Sequence, residues 1–432
     1  MRRTTAAPPV RGLPARRSPF TLLALLALLV GGLVAGCGTE ESSGGSASDS
    51  ASASASASGS ASSSSPKKGP RWAYEDVAGG GQGKFTDVVA PAADDIWATA
   101  GYEENGTSTA AQQHLFHYDG HHWQRREMPP ELDGGVFNAR LGTSGTDGPG
   151  TSGSSENVWL VGSPDSDRGA AHIVRWDGTR WQRIPSGPEG IVADLEVLGP
   201  DDVWVLAGGK AEHWDGKRWR TVPMPAQAED LDGTSGDDLW AVGRRDSGSG
   251  VDRDQLSQPA AMHWDGRGWK LAGLPAFRFP DPQPAEAEAG LKRVVAISRD
   301  KVFAYGQLSF NHGETEDEPD DKSLALRWNG SRWSEEKGPS AGCTGGQDPV
   351  QDGHGGLIYL NRLHFTADGE CRRTTWSKLP STGGITEHAR QSLWFERIAP
   401  IPGTRKVIGA GLMQVNQSGN PMNKPLLATL KL

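Results

Sequence analysis

Residues His213 to Trp219 read HWDGKRW, and nearly the same six letters recur along the chain. YDGHHW covers Tyr118–Trp123, WDGTRW covers Trp176–Trp181, WDGRGW covers Trp264–Trp269 and WNGSRW covers Trp328–Trp333. A recurring Asp beside a recurring Trp is either a repeated active site or a repeated turn. The last copy decides between them. It carries Asn329 where the others carry Asp, and an amide cannot do the acid or base work of a carboxylate. Asp-Gly and Asn-Gly both suit a tight hairpin tip. The Asp residues are therefore read as turn formers, and Tyr118 in place of Trp as an exchange of bulk for bulk.

A second signature precedes each of these: DDIWATAG from Asp94, ENVWLVG from Glu156, DDVWVLAGG from Asp201, DDLWAVG from Asp237 and DKVFAYG from Asp300. A short β-rich run precedes each signature in turn, such as FTDVVAP from Phe85 or LKRVVAIS from Leu291. One unit reads as four strands, A to D, rich in Val, Ile, Leu, Trp and Phe and bounded by turn residues. Four short strands repeated at this length predict an all-β chain, a β-propeller of four-stranded blades. A sixth, degenerate unit runs through HGGLIYL, HFTADG and TTWSKL. A seventh begins at SLWFERIAPI from Ser392 and reaches the C-terminus without an R-W strand. Pro70-Arg71-Trp72-Ala73-Tyr74 supplies that strand from the other end of the chain. A seven-bladed ring closed by its N-terminal strand is the expectation; closure of this kind protects edges that would otherwise stay open. Of the 16 Trp, 15 fall in strands B, C or D, where their bulk fills the space between neighbouring sheets.

The chain resembles secreted actinobacterial lipoproteins built of D-D-V-W-A-V-G and H-W-D-G-x-x-W propeller repeats, with blades of kelch-like length. The DGxxW unit also resembles, in part, the Asp-box of sialidase-like propellers. That box has one more residue between Asp and Gly, and a Ser or Thr before it; neither is present here.

Five Arg (Arg2, Arg3, Arg11, Arg16, Arg17) precede an apolar run from Phe20 that ends in Val34-Ala35-Gly36-Cys37. That order is the pattern of an export signal, and its end resembles a lipobox. The resemblance implies removal of residues 1–36, acylation of Cys37 and a location at the extracytoplasmic face of the cell membrane. Residues 37–70 carry the lipid and a Ser/Ala/Gly-rich linker expected to stay disordered, leaving 71–432 as the propeller. Loss of residues 1–36 leaves 39 basic against 53 acidic residues, a net charge of −14. That balance argues against nucleic acid or an anionic membrane as partner of the folded part. In an exported protein, Cys343 and Cys371 are expected to form a disulfide.

A–B and C–D turns are short and repetitive, whereas B–C and D–A connections are long and varied. Variable loops on a rigid scaffold are where recognition concentrates. The longest are Arg244–Pro259, Pro275–Gly290 and Gln307–Lys322. Within them Arg244 and Arg245 could clamp a carboxylate, and Phe277, Phe279 and Phe310 could anchor a partner. The acidic residues from Glu314 to Asp321 lack a calcium-loop pattern. The 11 His show no metal-ligand spacing, and His213 and His263 exchange with Arg175 and Arg327 at one repeat position. No metal, cofactor or catalytic residue is expected. The functional expectation is a monomeric, membrane-anchored module that binds a protein or glycan. The rival is a carbohydrate-active enzyme of galactose oxidase-like or sialidase-like type. The first needs a Cys–Tyr crosslink, and the second needs three clustered Arg and a Tyr–Glu pair; the repeats place neither.

Overall fold

The computed structural model describes residues 67–75, 81–103, 112–132, 137–144, 156–164, 169–185, 187–246, 257–279, 287–310, 320–336, 348–360, 362–417 and 419–432. All of these lie within one unit, residues 61–432. The first strand is β1 (Lys67–Glu75). One four-stranded sheet follows as β2 (Gln82–Ala92), β3 (Asp95–Glu103), β4 (Gln112–Tyr118) and β5 (Trp123–Arg126). The next comprises β6 (Phe137–Thr143), β7 (Val158–Ser163), β8 (His172–Trp176) and β9 (Trp181–Arg183). The third comprises β10 (Val192–Gly199), β11 (Asp202–Ala207), β12 (Lys210–Trp214) and β13 (Trp219–Val222). The fourth has β14 (Gln227–Ser235), β15 (Asp238–Asp246), β16 (Ser257–Trp264) and β17 (Trp269–Leu271). The fifth has β18 (Glu288–Ser298), β19 (Lys301–Ser309), β20 (Lys322–Trp328) and β21 (Trp333–Glu335). The remaining strands are β22 (Pro349–Gln351), β23 (Leu357–Tyr359), β24 (Leu363–Phe365), β25 (Cys371–Trp376), β26 (Arg390–Ile401), β27 (Lys406–Gln417) and β28 (Asn420–Lys431).

These last seven strands join β1 in a single eight-stranded sheet, ordered β22-β23-β24-β25-β1-β28-β27-β26. Here β1 does what its sequence suggests, and more. Trp72 to Glu75 pair antiparallel with Leu430 to Leu427 of β28. On its other side β1 pairs in parallel with β25, Lys67 opposite Arg372 and Trp72 opposite Trp376. The sequence pattern points to the first pairing only. The first strands of the five four-stranded sheets touch in the order β2, β6, β10, β14, β18; β18 also touches β22, one end of the eight-stranded sheet, and β26, its other end, touches both β22 and β2.

The packing explains the residue pattern. Second strands are sandwiched between sheets and are apolar on both faces: every residue of VWLVGS in β7 is buried. Trp of a second strand meets the Trp pair of the next sheet. Trp97 lies 5.3 Å from both Trp176 and Trp181. Trp204 lies 4.9 Å from Trp264 and 5.6 Å from Trp269, and Trp240 lies 5.0 Å from Trp328. Tilted and edge-on contacts at these spacings are the favourable ones for aromatic rings.

The Asp-Gly units are turns, but the Asp acts through its side chain. In each, Gly has positive φ, from 81° at Gly266 to 93° at Gly178. The Asp itself does not; its Oδ1 accepts the backbone N–H groups two and three residues on. Asp215 takes those of Lys217 and Arg218, both at 3.0 Å, and Asn329 does the same for Ser331 and Arg332. An amide oxygen serves as well as a carboxylate, which is why Asn is accepted there. Not every A–B connection is short: that of the second sheet spans residues 144–157, of which 145–155 lie outside the described residues.

Candidate functional site

The first strands surround a cavity of about 140 Å³ that opens to solvent. Six of these strands carry a bulge or irregularity, and in each the residue just past it is charged. These are Asp87, Arg140, Asp194, Asp230, Arg293 and Arg397. A bulge re-aims the side chain that follows it. Asp194, Asp230, Arg293 and Arg397 line the cavity, with Glu196 and Asp232 one turn of the pleat further along.

The carboxylates stitch one sheet to the next. Asp87 accepts the N–H of Leu141 at 2.9 Å, Asp194 that of Leu231 at 2.9 Å, and Asp230 that of Val294 at 2.8 Å. Asp232 repeats the bond to Ala296 at 2.8 Å. The arginines close the set: Arg293 Nη1 lies 2.7 Å from Asp230, and Arg397 Nε lies 3.6 Å from Asp87. Asp87, Asp194 and Asp230 are all buried, and a buried carboxylate is tolerable only when bonded and paired. Burial pushes the Asp230 carboxyl up to about 7, against the pull of Arg293 and with a further push from Asp194. Burial works against the charge of Arg397, but Asp87, Asp194, Asp230 and Glu196 outweigh it and hold the guanidinium above its ordinary range.

A second recurring pair joins a His of the third strand to an Asp at the start of the second or, for Asp352, in the turn before it. His117, His213, His263 and His364 each place Nε2 within 2.7–2.9 Å of Asp95, Asp202, Asp238 and Asp352. Three of these rings lie against the Trp across the strand: Trp97 at 4.0 Å, Trp204 at 4.3 Å and Trp240 at 4.5 Å. Where the His becomes Arg175 or Arg327, the acid becomes Asn157 or Lys301. The partners change together, as members of a packing unit would. Among the described residues, no group of three or more His, Cys, Asp or Glu could hold a metal ion.

Of the residues singled out in the variable loops, the three Phe share one core cluster. Arg244 reaches Gln227 at 3.2 Å and Glu288 at 3.5 Å, while Arg245 is exposed. Phe310 is only 6 % exposed and belongs to the core between the fourth and fifth sheets; Phe277 and Phe279 pack half-buried against it. Cys37, Cys343 and Glu314–Glu318 lie outside the described residues, and Cys371 opens β25. Among the described residues, no helix is long and apolar enough to cross a membrane. The charged positions in the first strands were missed in the sequence. Their signal is an Asp or Arg directly before a Val, Leu or Ile, in TDVV, ARLG, ADLE, EDLD, KRVV and ERIA.

No family model matches the chain, and no curated protein matches it. Among solved structures it is similar to the Neurospora crassa Pan2 WD40 domain, at 10 % identity and a TM-score of 0.46, over 81 % of this chain and 89 % of that one. It is also similar to the β-propeller domain of the Trilobed protease from Pyrococcus furiosus, at 9 % identity and a TM-score of 0.42, over 79 % and 97 %. A fucose-specific lectin from Aleuria aurantia aligns at 12 % identity and a TM-score of 0.33, over 58 % and 76 %. Likenesses this distant say nothing of what the chain binds; the fold rests on its own strand pairing.

Proposed function

We propose that the chain is a seven-bladed β-propeller lipoprotein, held at the extracytoplasmic face of the membrane through Cys37, that binds a protein or glycan without catalysing a reaction. The cyclic order of first-strand contacts supports seven blades. Divided between β25 and β1, the eight-stranded sheet becomes two four-stranded blades, the second completed by β1. The lipid on Cys37 and the Cys343–Cys371 disulfide belong to this proposal and rest on the sequence.

The observation that carries the binding reading is the state of the central charges. Asp87, Asp194 and Asp230 are spent on backbone N–H groups of the neighbouring sheet, and Arg293 and Arg397 on those same carboxylates. Groups locked into holding the ring together are poorly placed to move protons or to grip a substrate carboxylate. Recognition then falls to the connections that vary between blades.

The test is capture from the native cell surface, together with a glycan array, using the full chain and a variant with residues 247–256 and 311–319 shortened. Loss of the partner or glycan in the variant supports the reading. A partner held equally by both proteins, or hydrolysis of a glycan that disappears in Arg293→Ala and Arg397→Ala, would overturn it.

A further inference from the structure

We propose that the seam between β1 and β25 is a docking surface for an anionic phospholipid bilayer, so that the domain rests on the membrane along this edge. The proposal builds on the reading of Cys37 as the anchor. The parallel register sets Lys67 beside Arg372 and Lys68 beside Arg373, with Arg71 following opposite Thr375. Paired strands lie about 4.8 Å apart and successive side chains alternate between faces, so Lys68, Arg373 and Arg71 share one face, while Lys67 and Arg372 lie on the other with Glu370. Arg362 adds a sixth, its guanidinium 4.0 Å from the ring centroid of Trp376. Burial, and repulsion from Arg373, hold that guanidinium below its ordinary pKa.

Two acids sit nearby. Glu370 is held by Lys67 at 2.7 Å and by Arg372 at 2.6 Å; Asp368 is exposed. Lys68, Arg71 and Arg373 are exposed and form no ion pair among the described residues. Such a cluster runs against the balance of the chain, whose charge from Cys37 onward is −14. Charges further off than about 8–10 Å are largely screened at physiological ionic strength, so distant acids do not cancel it. Net charge therefore misleads about this edge.

The position of the seam names the partner. β1 begins at Lys67, and residues 38–66 lie between it and Cys37. Such a Ser/Ala/Gly-rich sequence is expected to span about 30 Å as a flexible linker. The edge beside the anchor is thus the one presented to the bilayer, at high effective concentration. Cations next to an anionic bilayer gain roughly fivefold in affinity each.

The experiment uses the full chain, purified from a host that exports it and reconstituted in vesicles. Energy transfer from its tryptophans to dansyl-labelled lipid reports how close the domain lies; Trp72 and Trp376 are in the seam itself. Transfer should be higher on phosphatidylglycerol-containing vesicles than on phosphatidylcholine alone, and salt should abolish the difference. The variant Lys68→Glu/Arg71→Glu/Arg373→Glu should weaken the association on the order of a hundredfold and fall to the phosphatidylcholine value. The variant Arg180→Glu/Lys217→Glu/Arg332→Glu, reversed at exposed turns elsewhere, should behave as the unaltered chain. Equal transfer on both lipids, or equal loss in both variants, would overturn the proposal. So would displacement of the vesicles by duplex DNA at matched phosphate concentration, which would assign the seam to another polyanion. The mass of the N-terminal peptide reports the anchor separately. An unmodified Cys37 would end the anchoring reading, while addition of the chain to vesicles from solution would still decide the seam.

Discussion

Trp72 carries the closure of the eight-stranded sheet, and its loss can be given a magnitude. The side chain is 1 % exposed. Its ring lies 4.4 Å from Phe395 of β26, and its Nε1 donates to Thr374 of β25 at 3.1 Å. It therefore touches strands on both sides of β1. Truncation to Ala removes a large buried aromatic, a loss of about 3–5 kcal/mol, and one buried hydrogen bond, about 1 kcal/mol more. The Thr374 hydroxyl still donates to the Arg362 carbonyl at 3.0 Å, so no orphaned group adds to the cost. Trp72→Ala should thus destabilise by about 5 kcal/mol. Trp72→Phe keeps most of the burial and should lose about 2 kcal/mol. Trp394→Ala is the control: that ring is 56 % exposed, and its removal should cost no more than about 0.5 kcal/mol. Urea unfolding followed by circular dichroism gives the three values without relying on Trp emission. If Trp72→Ala costs no more than Trp394→Ala, the closing role of β1 is refuted.

Gly216→Ala should cost about 2 kcal/mol in the same assay: its φ is 83°, and a Cβ would sit 2.6 Å from Asp201 Oδ1. Asp215→Asn should leave the melting temperature unchanged, and Asp215→Ala should lower it, because only the amide keeps the oxygen that caps Lys217 and Arg218. The Asp230 carboxyl, raised to about 7 in the fold against about 3.9 unfolded, favours the folded state most below pH 4. That contribution is lost as pH rises to 7. Asp230→Asn should flatten this part of the stability–pH curve, and an unchanged curve would remove Asp230 as its source. The lowered carboxyls Asp265 and Glu370 act oppositely: their contribution is present above pH 4 and lost as pH falls towards 2. Non-reducing peptide mapping should recover Cys343 and Cys371 in one linked peptide; two free thiols would rule out the bridge.

The repeats made most of the architecture legible because turns and second strands have local requirements. A hairpin tip needs its Gly, and a strand packed on both faces needs a continuous apolar run, as in VWLVGS. The role of Asp in the tip was legible only in part. Its oxygen, not its backbone angle, is what the turn uses. The charged ring in the first strands escaped notice because Asp87 or Arg293 within a β-rich run reads as an ordinary solvent-facing residue. Only the six strands aligned at their bulges show one position filled by Asp or Arg throughout. Phe310 drew attention by lying in a long loop, yet it directly follows β19 and packs in the core. The parallel pairing of β1 with β25 had no local signature, since it joins residues some 300 positions apart.

That separation bears on the order in which the molecule assembles. Among the described strands β1 is synthesised first, and its partners, β25 and β28, come near or at the end. Five sheets can form while it waits, since each is drawn from consecutive strands; the final sheet cannot. Contacts of such sequence separation form late and slowly. Until then β1 is an unpaired edge, the kind of segment that invites pairing with another chain. Its first four residues are Lys67, Lys68, Gly69 and Pro70. Two charges and a proline discourage a foreign strand, whereas the apolar half around Trp72 finds its burial only when Leu427 to Leu430 arrive. Closure is thus a checkpoint for completeness: a chain cut short before β28 keeps an open edge and a solvent-exposed Trp72.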